Sequence, residues 1–396
     1  MTSSDTLGGR MHSFELDQAQ LDDVLRRSQN EAARADYDAL LERGRAGTGL
    51  SAEEIALLWS ASSVSTDEIF ESAAQVHRDR NARLETFSPL YLTNTCDAEC
   101  LMCGMRRENK SLRRETADIG TIEAQLRLLL RRGMQAVALL TGEYRTGQRE
   151  WAMEYVNRAL GIAHGLGFKH ILINVGSMDP PEFAVLLDGI PRHDDGSIVP
   201  KLTMCTFQET YSRAAYAKFM GTDEHNPRAN FDRRLQNFDR AFDAGMRVAN
   251  PGVLLGLNTD VGYELLALAL HVQHLLARGM EVYVSVPRLR QIAGGGSRRG
   301  VSDDKFTRMV ALLALAVPEC KIVITTRESA AIQRRIAPIV CVISSGSSAV
   351  APYTEAGARF PLEASQFEVI DQRPFEEVLD DFLADGPIDN FAPPSS

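Results

Sequence analysis

From Pro89 onward the chain alternates between short apolar runs and longer stretches with a helical rhythm. The runs are PLYLTN (89–94), AVALLT (136–141), HILINVG (170–176), LTMCTF (202–207), VANPGVLL (248–255), EVYVSVP (281–287), KIVITT (321–326) and IVCVISS (339–345). Helix-length amphipathic stretches lie near 120–133, 149–166, 180–190, 210–220, 229–244, 261–279, 303–316 and 328–336. Apolar strands that alternate with helices predict a parallel sheet buried on both faces. The class is therefore α/β, and eight such units predict a (β/α)8 TIM-type barrel. An open doubly wound sheet is the alternative. No internal repeat is visible.

Upstream, Leu16 to Arg43 predicts one helix, with Leu16, Leu21, Val24, Leu25, Ala32, Leu40 and Leu41 on an apolar stripe. The stretch GRAGTG (44–49) ends it. Ser51 with Glu54, and Ser65 with Glu68, are capping-box pairs that open two further helices. Residues 1–13 read as frayed and the tail DGPIDNFAPPSS as loose. The expected division is an N-terminal helical extension (1–85), a barrel (86–350) and a C-terminal segment packing on it (351–396). A barrel also predicts where function lies, in the loops after the strands. Polar residues collect there: the cysteine loop, TGEYR (141–145), GSM (176–178), FQETY (207–211), SVPRLR (285–290), TTRES (325–329) and SSGSS (344–348).

Composition narrows the class. The chain of 396 residues is 44% hydrophobic and 24% charged, with a net charge of -10, which argues against a nucleic-acid partner. No apolar run approaches the ~18 residues of a membrane span, and the N-terminus lacks a signal-peptide pattern. A cytoplasmic enzyme with reduced cysteines is expected.

Three of the six cysteines fall in TNTCDAECLMCGMRRENK, spaced Cys96-x3-Cys100-x2-Cys103. A structural zinc site wants four ligands, usually as two close pairs. Three thiolates on a cubic [4Fe–4S] cluster leave one iron free for an external chelator. This spacing is the signature of the radical S-adenosylmethionine (SAM) enzymes, in which SAM takes the open iron; zinc is the alternative. Cys205, Cys320 and Cys341 lie alone and read as apolar fillers.

Several stretches extend the resemblance. PLYLTNTCDAECLMCGMR, LTGEYRTG, INVGSM, CTFQETYSRAAYAKFMG, FDRRLQNFDRAFDAGMRVANPGVLLGL, SVPRLR, TTRE and ISSGSSAVAPY occur in this order. Together, from about Leu50 to about Gln366, they resemble the aromatic amino acid lyases of the radical SAM superfamily, a group that includes tyrosine lyases and a tryptophan lyase. LTGEY, GSM, KFMG, ANPGVL and VAPY resemble the tryptophan branch most. The resemblance implies a carbon–carbon lyase that converts L-tryptophan to 3-methyl-2-indolic acid for thiopeptide-type natural products. Another aromatic amino acid such as tyrosine is the alternative substrate. It also implies an electron donor such as flavodoxin or ferredoxin.

It assigns candidate residues as well. Cys96, Cys100 and Cys103 would hold the cluster. Gly142 and Glu143 would hold the SAM ammonium, although a solvated loop glutamate is the plain alternative. Tyr91 would lie near SAM and substrate, or simply fill the barrel. Asn174, Ser177 and Gln208 could bind the ribose or the methionine carboxylate, or merely form turns; Glu209 could order its loop. Arg234 is the family position for the SAM carboxylate, with Arg233 and Arg240 competing. Arg327 would clamp the substrate carboxylate with its planar fork, or pair with Glu328. Ser344 would hydrogen-bond the substrate. Ser345 stands where the family has proline, a departure that bears on substrate positioning. Arg288 and Arg290 line the mouth or pair with acids, and AGGGSRRG (293–300) reads as a lid.

Overall fold

The computed structural model describes residues 12–30, 33–81, 83–295 and 300–393. The first residues expected to fray, and the center of the expected lid, lie outside these. Strands β1 (Leu84–Tyr91), β2 (Ala136–Leu140), β3 (His170–Asn174), β4 (Lys201–Cys205), β5 (Val248–Asn250), β6 (Glu281–Ser285), β7 (Lys321–Thr325) and β8 (Val342–Ser344) pair in parallel in sequence order. The pairing of β1 with β8, Glu85 opposite Val342 and Phe87 opposite Ser344, closes the sheet into the (β/α)8 barrel. The doubly wound alternative is thereby excluded. Helices follow the strands around the outside: α5 (Ile119–Arg131), α6 (Thr146–Gly165), α7 (Pro180–Leu186), α8 (Arg213–Met220), α9 (Phe231–Leu235), α10 (Asn237–Asp243), α11 (Val261–Ala277), α12 (Asp303–Ala316) and α13 (Ala330–Ile336).

Three expectations are corrected. The single helix expected over Leu16–Arg43 is two, α1 (Gln18–Arg27) and α2 (Arg34–Arg45). Ser28 caps the first: its hydroxyl turns back to the Leu25 carbonyl (2.8 Å) and meets Ser60 (3.0 Å), competing with the helical ladder. The strand expected over VANPGVLL ends at Asn250, because Pro251 has no N–H to give the ladder. The tail is docked rather than loose: β11 (Ile388–Asp389) adds to β1 opposite Leu84, and the Gln135 amide donates to the Asn390 carbonyl (2.8 Å). Ile388 is apolar and buried, so it has a core position to fill.

The two capping boxes form as read, Glu54 on Ser51 opening α3 (Ala52–Ser60) and Glu68 on Ser65 opening α4 (Thr66–Arg80). These helices pack on α11 and α12. Arg308 of α12 fastens them, donating to the carbonyls of Val64 (2.8 Å) and Ala61 (3.0 Å). Beyond the barrel, a hairpin of β9 (Tyr353–Thr354) and β10 (Gly357–Ala358) precedes α14 (Phe375–Leu383).

The barrel floor is a charged plug. Lys321 bonds Glu85 and lies 2.6 Å from Glu281; Lys201 bonds Glu281 at 3.1 Å; Tyr283 donates to Glu85 at 2.7 Å. His170 meets Thr203 at 2.6 Å beside it. The opposite, C-terminal end of the strands holds an open cavity.

Candidate active site

Alternation along β1 points Phe87, Pro89 and Tyr91 into that cavity. Its space free of atoms, counted out to the opening, is ≈ 1460 Å³.

The cysteine loop is held by backbone contacts rather than by regular structure. The Asp97 amide donates to the Glu143 carbonyl (2.8 Å), Leu101 to Phe219 (2.9 Å) and Arg107 to Ala98 (2.9 Å). The Arg114 guanidinium gathers the carbonyls of Asn94 (2.8 Å), Met105 (2.8 Å) and Arg106 (2.6 Å). The Cys96 sulfur accepts from the amides of Glu143 (3.3 Å) and Ala98 (3.4 Å). Burial pushes the Cys96 thiol up to about 12, and Cys100 higher. The thiols alone are therefore protonated, and metal binding must release their protons. Among the described residues no three His, Cys, Asp or Glu converge on one ion.

Glu143 lies beside this loop at the end of β2, and two glycines make room for it. A Cβ on Gly142 would meet the Thr95 carbonyl at 2.2 Å and the Cys96 Cβ at 2.6 Å. A Cβ on Gly176, at φ +85°, would meet the Glu143 Cγ at 2.1 Å. Arg234 donates to Glu143 Oε1 at 2.6 Å, and Arg228 Nε lies 3.1 Å from the same oxygen. Burial opposes the Glu143 charge, but Arg234 and Arg228 outweigh it and hold the carboxyl below its usual range. Oε2 is buried with no hydrogen-bond partner among the described residues. A buried carboxylate oxygen without a donor is costly alone and suits an incoming ammonium. Arg228 also bonds Glu209 at 2.6 Å. Glu209 is held at φ 70°, a left-handed conformation that a non-glycine residue adopts only when its surroundings fix it.

Across the cavity stands Arg327, just after β7. Its guanidinium lies 3.3 Å from the centroid of the Phe367 ring, and among the described residues no hydrogen bond or carboxylate engages its fork. The plain alternative, a pair with Glu328, does not form. Glu328 is taken by Arg288 (2.9 Å) and Arg290 (2.8 Å), and Arg288 also bonds Asp303 (2.6 Å). Burial lowers Arg327 to about 10. Ser344 and Tyr91 line the same cavity. The Tyr91 hydroxyl donates to Gln366 Oε1 at 2.5 Å, and Gln366 Nε2 lies 3.5 Å from the Cys103 sulfur.

The cavity wall includes Tyr91, Cys96, Cys103, Gly142, Glu143, Asn174, Arg234, Arg327 and Ser344 from the sequence-derived candidates. Cys100 is buried in the loop behind it. Ser177 and Gln208 are buried outside the wall: the Ser177 carbonyl accepts from Arg149 (2.7 Å), and the Gln208 amide donates to the Phe231 carbonyl (3.4 Å). Of the three competing arginines only Arg234 reaches the cavity. Arg233 pairs with Asp179 (3.0 Å), and Arg240 donates to the Met178 carbonyl (2.7 Å). Ser345 is fully buried off the wall, its hydroxyl without a partner and its carbonyl accepting from Ser88 (2.8 Å). Arg228, Gln366 and Phe367 are wall residues that the sequence reading did not single out.

Comparison with known proteins places this geometry in context. The Biotin and Thiamin Synthesis associated domain matches residues 285–387. The chain is 28% identical to the 2-iminoacetate synthase of Escherichia coli (strain K12), over 87% of this chain and 88% of that protein. It is also 28% identical to the 2-iminoacetate synthase of Salmonella typhimurium, over 93% of each. Among solved structures it superposes on HydG, a maturase of the [FeFe]-hydrogenase, with a TM-score of 0.79 and 26% identity over 93% of this chain and 79% of that one. Methylornithine synthase shares the fold, with a TM-score of 0.68 and 18% identity over 88% of this chain and 97% of that one.

Proposed function

We propose that this chain is a radical SAM aromatic amino acid lyase, like the relatives it resembles, and that it cleaves and rearranges L-tryptophan to 3-methyl-2-indolic acid, a building block for thiopeptide-type natural products. Enzymes of this kind use a [4Fe–4S] cluster and SAM, which when bound and reduced supply a 5'-deoxyadenosyl radical able to remove a hydrogen atom from the substrate amino group. Every other task falls to the protein. Cys96, Cys100 and Cys103 offer the cluster three thiolates. Glu143, through its Oε2, would hold the SAM ammonium, and Asn174 and Arg234, which line the same cavity, would reach the ribose and the SAM carboxylate. Ser177 and Gln208 support that wall from behind. The electron comes from a small donor protein such as flavodoxin or ferredoxin.

The observation that carries the reading is Arg327, a cation that pairs with no acid among the described residues and faces the same cavity as the cysteines and Glu143. An amino acid bound by its carboxylate to that fork places its amino group toward the cofactor side, where Tyr91 and Ser344 can orient it. The same cavity offers apolar surface to an aromatic side chain, including Phe87, Leu140, Leu254, Pro287 and Val323. Glu143 and Glu209 are each bound to arginine on this wall, and the preference for tryptophan over tyrosine rests on the stretches LTGEY, GSM, KFMG, ANPGVL and VAPY.

The test is anaerobic reconstitution, reduction, and mass spectrometry with SAM and either amino acid. 3-Methyl-2-indolic acid with 5'-deoxyadenosine from tryptophan is the expected result. 5'-Deoxyadenosine with tyrosine alone would overturn the substrate and keep the lyase; none with either would overturn both.

A further inference from the structure

The segment Ser365–Phe367 brings Gln366 and Phe367 to the cavity wall and touches both halves of the site. Its backbone is fixed: the Gln366 amide donates to the Ser348 carbonyl (3.2 Å), and the Gly104 amide donates to the Gln366 carbonyl (2.9 Å). A Cβ on Gly104 would meet the Gln366 and Ser365 carbonyls at 2.7 and 2.8 Å, so glycine next to Cys103 is what lets the segment sit on the cysteine loop. The Phe367 ring backs Arg327, and its carbonyl accepts from Ser348 Oγ at 2.7 Å. Between them the Gln366 side chain spans from the Tyr91 hydroxyl (2.5 Å) to the Cys103 sulfur (3.5 Å).

A carboxamide has one accepting and one donating end, and its orientation here is set by its neighbors. An iron-bound thiolate carries no proton and can only accept. The Nε2 end must therefore face Cys103, which leaves Oε1 for the tyrosine proton. A hydrogen bond to a ligating sulfur stabilizes the electron-rich, reduced form of a cluster and raises its reduction potential.

We propose that Gln366 is a positioning residue that tunes the cluster through Cys103 and ties it to Tyr91 on the cavity wall. The inference rests on the cluster reading given above. Its test uses full-length protein reconstituted as wild type, Gln366→Met and Gln366→Glu, with iron counted per chain and the midpoint potential followed by electron paramagnetic resonance. Both variants should titrate at lower potential than wild type. Glu should be the lower of the two, because it turns an acceptor toward the sulfur. Wild-type iron content with unchanged potential in both would overturn the proposal. A second measurement needs no variant: reduced wild type carrying side-chain-15N glutamine should show a weak 15N hyperfine coupling, and its absence would equally overturn it. A wild type that assembles no [4Fe–4S] cluster would sink the cluster reading itself, a different failure.

Discussion

Arg327→Met separates a ligand clamp from a structural cation, because the two roles predict opposite effects on stability. Carrying the charge where its pKa falls from 12.5 to about 10 costs on the order of 3 kcal/mol. The sign is fixed by protons: below about pH 10 both folded and unfolded chains are charged, so the cost is present in full. It is relieved only as pH rises from about 10 toward 12.5. Among the described residues no carboxylate pairs with it in the free protein, and burial outweighs the more distant Glu209. Removing the charge should leave thermal stability unchanged or higher. Binding moves the other way. Loss of one partner of a buried, hydrogen-bonded charge pair costs about 2–5 kcal/mol, which weakens amino acid affinity roughly 30- to 4,000-fold. Calorimetric titration of L-tryptophan into the SAM-loaded enzyme measures the second quantity and scanning calorimetry the first. Arg234→Met is the control, since it strips Glu143 of a buried partner and should destabilize by about 3–5 kcal/mol. An Arg327→Met protein that is destabilized like Arg234→Met and binds tryptophan normally would refute the reasoning.

Other expectations follow from the same contacts. Gly142→Ala drives a methyl group into Thr95 and Cys96, so iron per chain after reconstitution should fall well below wild type; full loading would show that the loop yields. Glu143→Gln keeps the shape but removes the charge facing the SAM ammonium, a loss of about 1.5–3 kcal/mol, read as at least a tenfold weaker SAM affinity in equilibrium binding. His77, His170 and His271 are buried, which lowers them from 6.5 to about 4, 3 and 3. The unfolded chain takes up these protons first as pH falls below 6.5, so stability is lost toward pH 4, at up to about 1.4 kcal/mol per histidine per pH unit. Urea unfolding at pH 7 and pH 5 measures this, and His170→Gln should remove one histidine's share of the slope.

What the sequence made legible, and what it hid, follows from the range of the interactions. Each strand of the barrel is announced by its own apolar run, and the cysteine spacing lies within one loop, so both can be read locally. The break at Ser28 was not, because Ser60, which its hydroxyl meets, belongs to another helix. The docked tail was hidden for the same reason: Ile388 in DGPIDNF is one apolar residue among turn formers until β1 offers it an edge. At the site, Arg327 could be singled out because a charge after KIVITT has no local purpose. Arg228, in TDEHNPRAN, has no such contrast, since an arginine in a polar loop looks solvated. It becomes a site residue only when the fold sets Glu143 and Glu209 on either side of it. Gln366 is the extreme case. Its amide matters because Tyr91 and Cys103, both far earlier in the chain, end up at its two ends. The chemistry a cofactor demands can be read from the ligand spacing, but the side chains that adjust that chemistry are chosen by closure of the barrel.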